Sequence, residues 1–177
     1  MSSKDDDSVV AAQLDRELRS SVEVVSRCHL DLPVVVGVPP ILDDGTPFPT
    51  RWWLTCPLSR LRIDRLESAG GVSAMDRYLK DRPDWQERME QAHDRYATER
   101  DSLIDNATEP RPSGGIAGTA GDGVKCLHAH YADSRIGHDN PVGESVAPFV
   151  EPLNCTQPCV VVADGAGVRN PEWIEPR

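Results

Sequence analysis

Cys126, His128 and His130 fall within five residues of the segment VKCLHAHYAD (124–133), directly after a glycine-rich stretch. Thiolate sulfur and imidazole nitrogen are donors that a zinc-type divalent ion takes in a tetrahedron, and Cys28 and Cys56 are two further thiols able to complete a mixed set. The same residues can do a second chemistry. A cysteine at a helix start has its pKa lowered by the helix dipole and by a neighbouring cation such as Lys125; beside His128 or His130 it becomes a nucleophile, with Asp133 or Asp139 to orient the imidazole. The plain alternative to both is that Cys56 and Cys126 are buried thiols packing as small apolar groups, with the histidines hydrogen-bonded at the rim.

Spacing discriminates among these residues. Residues two apart on a helix point to nearly opposite sides and residues four apart share a face, so inside a regular helix Cys126 pairs with His130. If Cys126 instead caps the helix, His128 can turn back toward it from the first turn. The close C-x2–4-C and H-x3–5-H pairs of finger-like sites are missing among these candidates, so the ligands must converge through tertiary folding. The candidate metal ligands are therefore Cys28, Cys56, Cys126, His128 and His130, with zinc the ion they suit. Cys155-x3-Cys159 is a further pair, but Cys159 leads an apolar run that suits burial.

The glycine run 114–121 fails the P-loop pattern, since Lys125 is followed by Cys126 and not by Ser or Thr, and it reads as a flexible loop over 110–123. In Arg51-Trp52-Trp53, strand alternation sends the two indoles to opposite faces. His93 reads as a boundary residue of a helix, and His29 and His138 have no evident partner.

The elements that must position these residues follow from periodicity and punctuation. Asp7 or Ser8 can cap a helix through about Val25, with Val10, Leu14 and Leu18 at helical spacing. Residues 32–38 and 51–55 are β-prone and 159–163 is a third short run; together they predict one small sheet. Pro57 suits the first turn of a helix that Gly70-Gly71 stops, and Ser73 caps a short segment after it. Pro83 opens the longest helix, to about Asp105, with Trp85, Met89, Ala92, Tyr96 and Leu103 as its apolar stripe. The expectation is one α+β domain over 8–163, a small sheet covered by helices, between an acidic disordered tail (1–7) and a C-terminal tail (164–177).

Several motifs carry a resemblance. Asp44-Gly45-Thr46-Pro47-Phe48-Pro49-Thr50, Leu54-Thr55-Cys56-Pro57, Val124-Lys125-Cys126-Leu127-His128 and Asn140-Pro141-Val142-Gly143 resemble an actinobacterial family known as domain of unknown function 501, over about residues 25–161. Arg27-Cys28 also looks like a family element; many relatives carry a second cysteine two residues on, where this chain has Leu30. The resemblance implies no established activity, and it favours His128 over His130. The family's usual gene neighbours, a septum-formation coiled-coil protein, enolase and an exopolyphosphatase, imply a cell-division or envelope setting.

Composition bounds the partners. With 19 Lys and Arg against 29 Asp and Glu the net charge is −10, which disfavours nucleic acid bound through its phosphates. No apolar run approaches the roughly 20 residues of a membrane span, and MSSKDDDS lacks the basic start and apolar segment of a secretory signal, so a cytoplasmic setting with reduced thiols is expected. The expected role is that of a cytosolic accessory protein with a structural Cys/His cluster, its long charged helix docking on a helical partner in the division machinery. The rival is a thiol- or metal-dependent enzyme using Cys126.

Overall fold

Three consecutive valines set the centre of the fold. In the computed structural model, which describes residues 3–176, β1 (Glu23–Arg27), β2 (Pro33–Gly37) and β3 (Trp52–Leu54) form an antiparallel sheet in that order. Every residue of β2 is buried, so both faces of the sheet are covered, and β-branched side chains suit such a strand. Trp52 and Leu54 face the main core, whereas Trp53 joins Val36, Val38 and Leu42 in a smaller cluster on the other face, as a period of two requires.

Six helices surround the sheet, making the fold α+β: α1 (Ser3–Leu14), α2 (Pro57–Ser68), α3 (Gly71–Lys80), α4 (Pro83–Asp101), α5 (Leu127–Arg135) and α6 (Pro141–Val150). Proline opens α2, α4 and α6 at the position where its missing N–H costs nothing. A separate hairpin of β4 (Val160–Ala163) and β5 (Ala166–Arg169) packs on α1. Among the described residues no helix is long and apolar enough to cross a membrane.

The structure differs from the sequence expectation in five places. The helix expected to Val25 stops at Leu14, where Asp15 takes a left-handed φ of 56°, and Val24 and Val25 pair with β2 instead. The acidic run is helical from Ser3, and residues 1–2 lie outside the described residues. Asp6 is buried and accepts two hydrogen bonds from Arg27 (2.8 and 2.9 Å), while Asp7 accepts from the Val22 N–H (3.0 Å), so this charge is structural and not a solvated tail. The third run pairs with 166–169, not with β2, because two hydrogen-bonding edges of β2 are already taken; residues 164–176 therefore continue the fold, and Gly167 N–H donates to Ser8 Oγ (3.0 Å). Residue 177 lies outside the described residues. Helix α3 begins at Gly71, ahead of Ser73, and α4 ends at Asp101, leaving Leu103 exposed while its buried face runs on to Arg100.

The glycine-rich loop is pinned. Ile116 is fully buried in a single 3-10 turn, and His93 of α4, itself buried, holds both ends of the segment. The Ile116 N–H donates to His93 Nδ1 (3.0 Å), which leaves the proton on Nε2 to donate to the Gly123 carbonyl (3.1 Å). Burial holds the His93 pKa below the usual histidine range, so the ring is neutral. Gly115 lies flat on this ring: a Cβ there would stand 2.4 Å from Nδ1.

The orientation of α5 depends on Asp133, whose side chain is wholly buried. Arg95 of α4 donates to both its oxygens (3.2 and 2.7 Å), Asn140 Nδ2 donates to Oδ2 (2.9 Å), and His138 Nδ1 lies 2.9 Å from Oδ1. Asn140 also caps α6, its Oδ1 accepting the Gly143 N–H (2.9 Å). Since Oδ1 can only accept, His130 Nδ1 must donate to it (3.2 Å), and His130 Nε2 is left as a buried acceptor with no donor among the described residues. Helices α5 and α6 approach so closely that a Cβ on Gly143 would sit 2.3 Å from the His130 carbonyl oxygen.

Two outcomes are expected. Asp133→Ala strands the buried Asn140 amide and leaves the Arg95 guanidinium only Glu99 as an acidic partner, and should cost about 3 kcal/mol in urea unfolding. Burial, reinforced by His93, pushes His130 down to about 4, so the folded chain refuses a proton that the unfolded chain accepts near pH 6.5. Stability that is full above that value is lost as pH falls, by about 2 kcal/mol between pH 7 and pH 5. Urea midpoints at the two pH values should show this loss in the wild type and a flatter dependence in His130→Leu.

Candidate metal centre

The start of α5 and the last turns of α2 build one polar cluster. Cys126 is the N-cap of α5, with an extended backbone (φ −152°), and from the first turn His128 folds back so that its Nδ1 lies 3.9 Å from the Cys126 sulfur. Asp64 and Glu67, three apart, lie on one face of α2. Glu67 Oε1 accepts the Leu127 N–H (2.6 Å) and sits 3.3 Å from His128 Nδ1, so a carboxylate occupies the end of α5 where the helix dipole favours negative charge. Asp64 Oδ1 lies 3.2 Å from the other ring nitrogen, His128 Nε2.

Three different donors thus converge. One oxygen of Glu67, the Cys126 sulfur and one nitrogen of His128 all lie within 4.8 Å of one another, and this group could hold a metal ion. All three residues are half-buried. Burial first, and the Glu67 carboxylate second among the factors that raise it, push the Cys126 thiol above its usual value; the amides of Ala129 and His128 act the other way and do not prevail. Cys126 and His128 open on a cleft of about 320 Å³ that Phe48, Thr50, Trp52 and Trp53 line. The Trp52 indole N–H, buried and without a partner among the described residues, belongs to a residue of the same wall.

The expected ligands divide. Cys126 and His128 meet, as the capped arrangement requires. His130, pointing away from them, is instead buried in the Asp133 network, with its ring against His93 at a centroid separation of 5.9 Å. Cys28 and Cys56 do not join the cluster. Cys56 is the N-cap of α2, and Glu67 lies eleven residues further on, about 16 Å along the helix at 1.5 Å per residue. Of the expected set, Cys28, Cys56 and Cys126 with His128 or His130, the structure brings together Cys126 and His128. Cys28 and Cys56 line a different void, together with Cys155 and Cys159.

Neither expected orienting acid serves His128. Asp133 binds Arg95, and Asp139 pairs with Arg88 (3.0 Å). Asp64 takes that position, and Glu67 supplies the missing donor. Both escape a sequence reading because acids on an exposed-looking helix face usually mean solvent; their i, i+3 spacing, directly after the Cys56-Pro57 start, is the signal that could have marked them. His29 Nε2 contacts the Cys155 carbonyl (2.8 Å), away from this cluster.

No curated protein and no solved structure matches the chain. The family described as protein of unknown function (DUF501) matches residues 24–148, a span that holds all but the first residue of the sheet β1–β3, and Cys126, His128, Asp64 and Glu67. With the greater part of its length matched, the chain belongs to the DUF501 family.

Proposed function

We propose that this chain is a metalloprotein in which Glu67, Cys126 and His128 hold one zinc-type divalent ion, with a fourth position facing the tryptophan-lined cleft. The convergence of one oxygen, one sulfur and one nitrogen donor within 4.8 Å carries this reading. Three features of the surroundings support it. Asp64 stands at the far nitrogen of His128, as the carboxylate of a carboxylate–histidine–metal triad does, fixing the ring so that Nδ1 can ligate. Among the described residues no arginine or lysine forms an ion pair with Asp64 or Glu67, whose ionic partner within the site is the His128 imidazole, so the two carboxylates are free to serve a cation there. Three protein ligands beside an open cleft match exchangeable sites better than closed structural ones. An ion there would supply Lewis-acid polarisation of a bound oxygen.

The rival reading, a Cys126 nucleophile with His128 as base and Asp64 as orienter, has the right order of groups. Glu67 speaks against it. A carboxylate beside the sulfur repels the thiolate that a nucleophile needs, and the same carboxylate attracts a cation.

Elemental analysis of untagged protein tests the proposal. Glu67→Gln, Cys126→Ser and His128→Ala should each lose about one equivalent of zinc relative to the wild type while still unfolding cooperatively in urea, at a midpoint no lower than that of chelator-treated wild type; unchanged metal content in all three would overturn it. Peptide mapping after iodoacetamide treatment gives an independent readout. Added zinc should slow labelling of Cys126 in chelator-treated wild type, and Glu67→Gln should need more zinc for the same protection.

A further inference from the structure

Four of the five cysteines line one small void near the opposite end of α2 from Glu67. Cys28 follows β1, Cys56 precedes α2, and Cys155 and Cys159 lie on the segment entering β4; all four line a void of about 10 Å³, together with Gln13 and the turn between β1 and β2. A space of that size holds about one water-sized particle. All four are free thiols. A buried cysteine packs as a small apolar group and needs no other sulfur nearby. Here three separate parts of the chain deliver sulfur to the same small space.

The surroundings of the sulfurs suit anions. Trp173 Nε1–H donates to Cys155 Sγ (3.5 Å), Gln13 Nε2–H approaches Cys159 Sγ (3.7 Å), and Cys56 sits at the N-cap of α2, where the helix dipole favours negative charge. Neutral thiols are weak acceptors with little need of such donors, whereas ligating thiolates are commonly surrounded by them. Gln13 is almost wholly buried, and its Oε1 has no partner among the described residues.

We propose that Cys28, Cys56, Cys155 and Cys159 form a closed tetrathiolate site for one zinc-type divalent ion, which fastens the C-terminal hairpin to the edge of the sheet and the start of α2. Binding displaces four thiol protons to solvent and forms four metal–sulfur bonds, with no change of oxidation state. Among the described residues only the Glu67 group has three donor atoms within 4.8 Å of one another, so the four sulfurs stand wider than a coordinated set, and ligation must draw them to separations of about 3.8 Å, as tetrahedral bonds of about 2.3 Å require. The site is independent of the Glu67 centre.

The test separates the two sites. The full chain carrying Cys126→Ser, purified from zinc-supplemented cells, has lost a ligand of the first centre and keeps all four thiols of the second. It should retain one equivalent of zinc, with X-ray absorption showing four sulfur neighbours at about 2.3 Å. Adding Cys159→Ser should remove that equivalent and lower the urea midpoint of the hairpin. The absorption measurement leaves the four thiols intact, so a folding failure of the second variant does not cloud it. Absence of zinc from folded Cys126→Ser with all four thiols freely titratable, or a shell of nitrogen and oxygen in place of sulfur, would overturn the site.

Discussion

A single carboxylate with no access to water governs how the second half of this molecule is assembled. Asp133 satisfies the guanidinium of α4 and the amide that caps α6, and the turn carrying His138 closes over it. A buried charge is tolerated only when its hydrogen bonds are complete, so the three elements cannot shift independently without leaving one of them unpaired. The helix between, α5, inherits a fixed azimuth. Its inward face carries His130 and Asp133, and its first turn must then present His128 outward to α2.

That constraint explains why the cluster at the start of α5 is well defined though it lies near the surface. Cys126 is extended because the helix begins after it, and Glu67 is drawn to the free amide of Leu127. Helix α2 carries acids at its C-terminal end and Cys56 at its N-terminal end. Its length keeps the two groups of donors apart, and each therefore has its own surroundings: a carboxylate-rich rim for Cys126, and a small void with N–H donors nearby for the other four cysteines.

Much of this was legible where punctuation is strong. Pro57 and Pro83 mark α2 and α4 because a ring nitrogen suits only the first helical turn, and the valine run marks β2 because no other strand residue fills a two-faced core as well. The cap geometry of Cys126 followed from knowing where helical dihedrals begin. What stayed hidden depends on pairing at a distance. Val24 and Val25 satisfy helix and strand patterns equally, and only β2 decides between them. Asp6 looks like solvated charge until Arg27 arrives from the strand. The division of the cysteines was unreadable because Cys56 and Cys126 have the same local signature, a thiol just before a helix, and differ only in which segments fold over them.

The hold of α4 on the glycine-rich segment has a consequence for acid conditions. One imidazole clasps both ends of residues 116–123, and the clasp works only while Nδ1 keeps its lone pair for Ile116. Protonation turns that acceptor into a donor aimed at another donor, so the catch releases at Ile116 while the Gly123 side still holds. The loss falls on the end where Ile116 is packed in the core, so acid sets the charge of the ring against the burial that holds this turn in place.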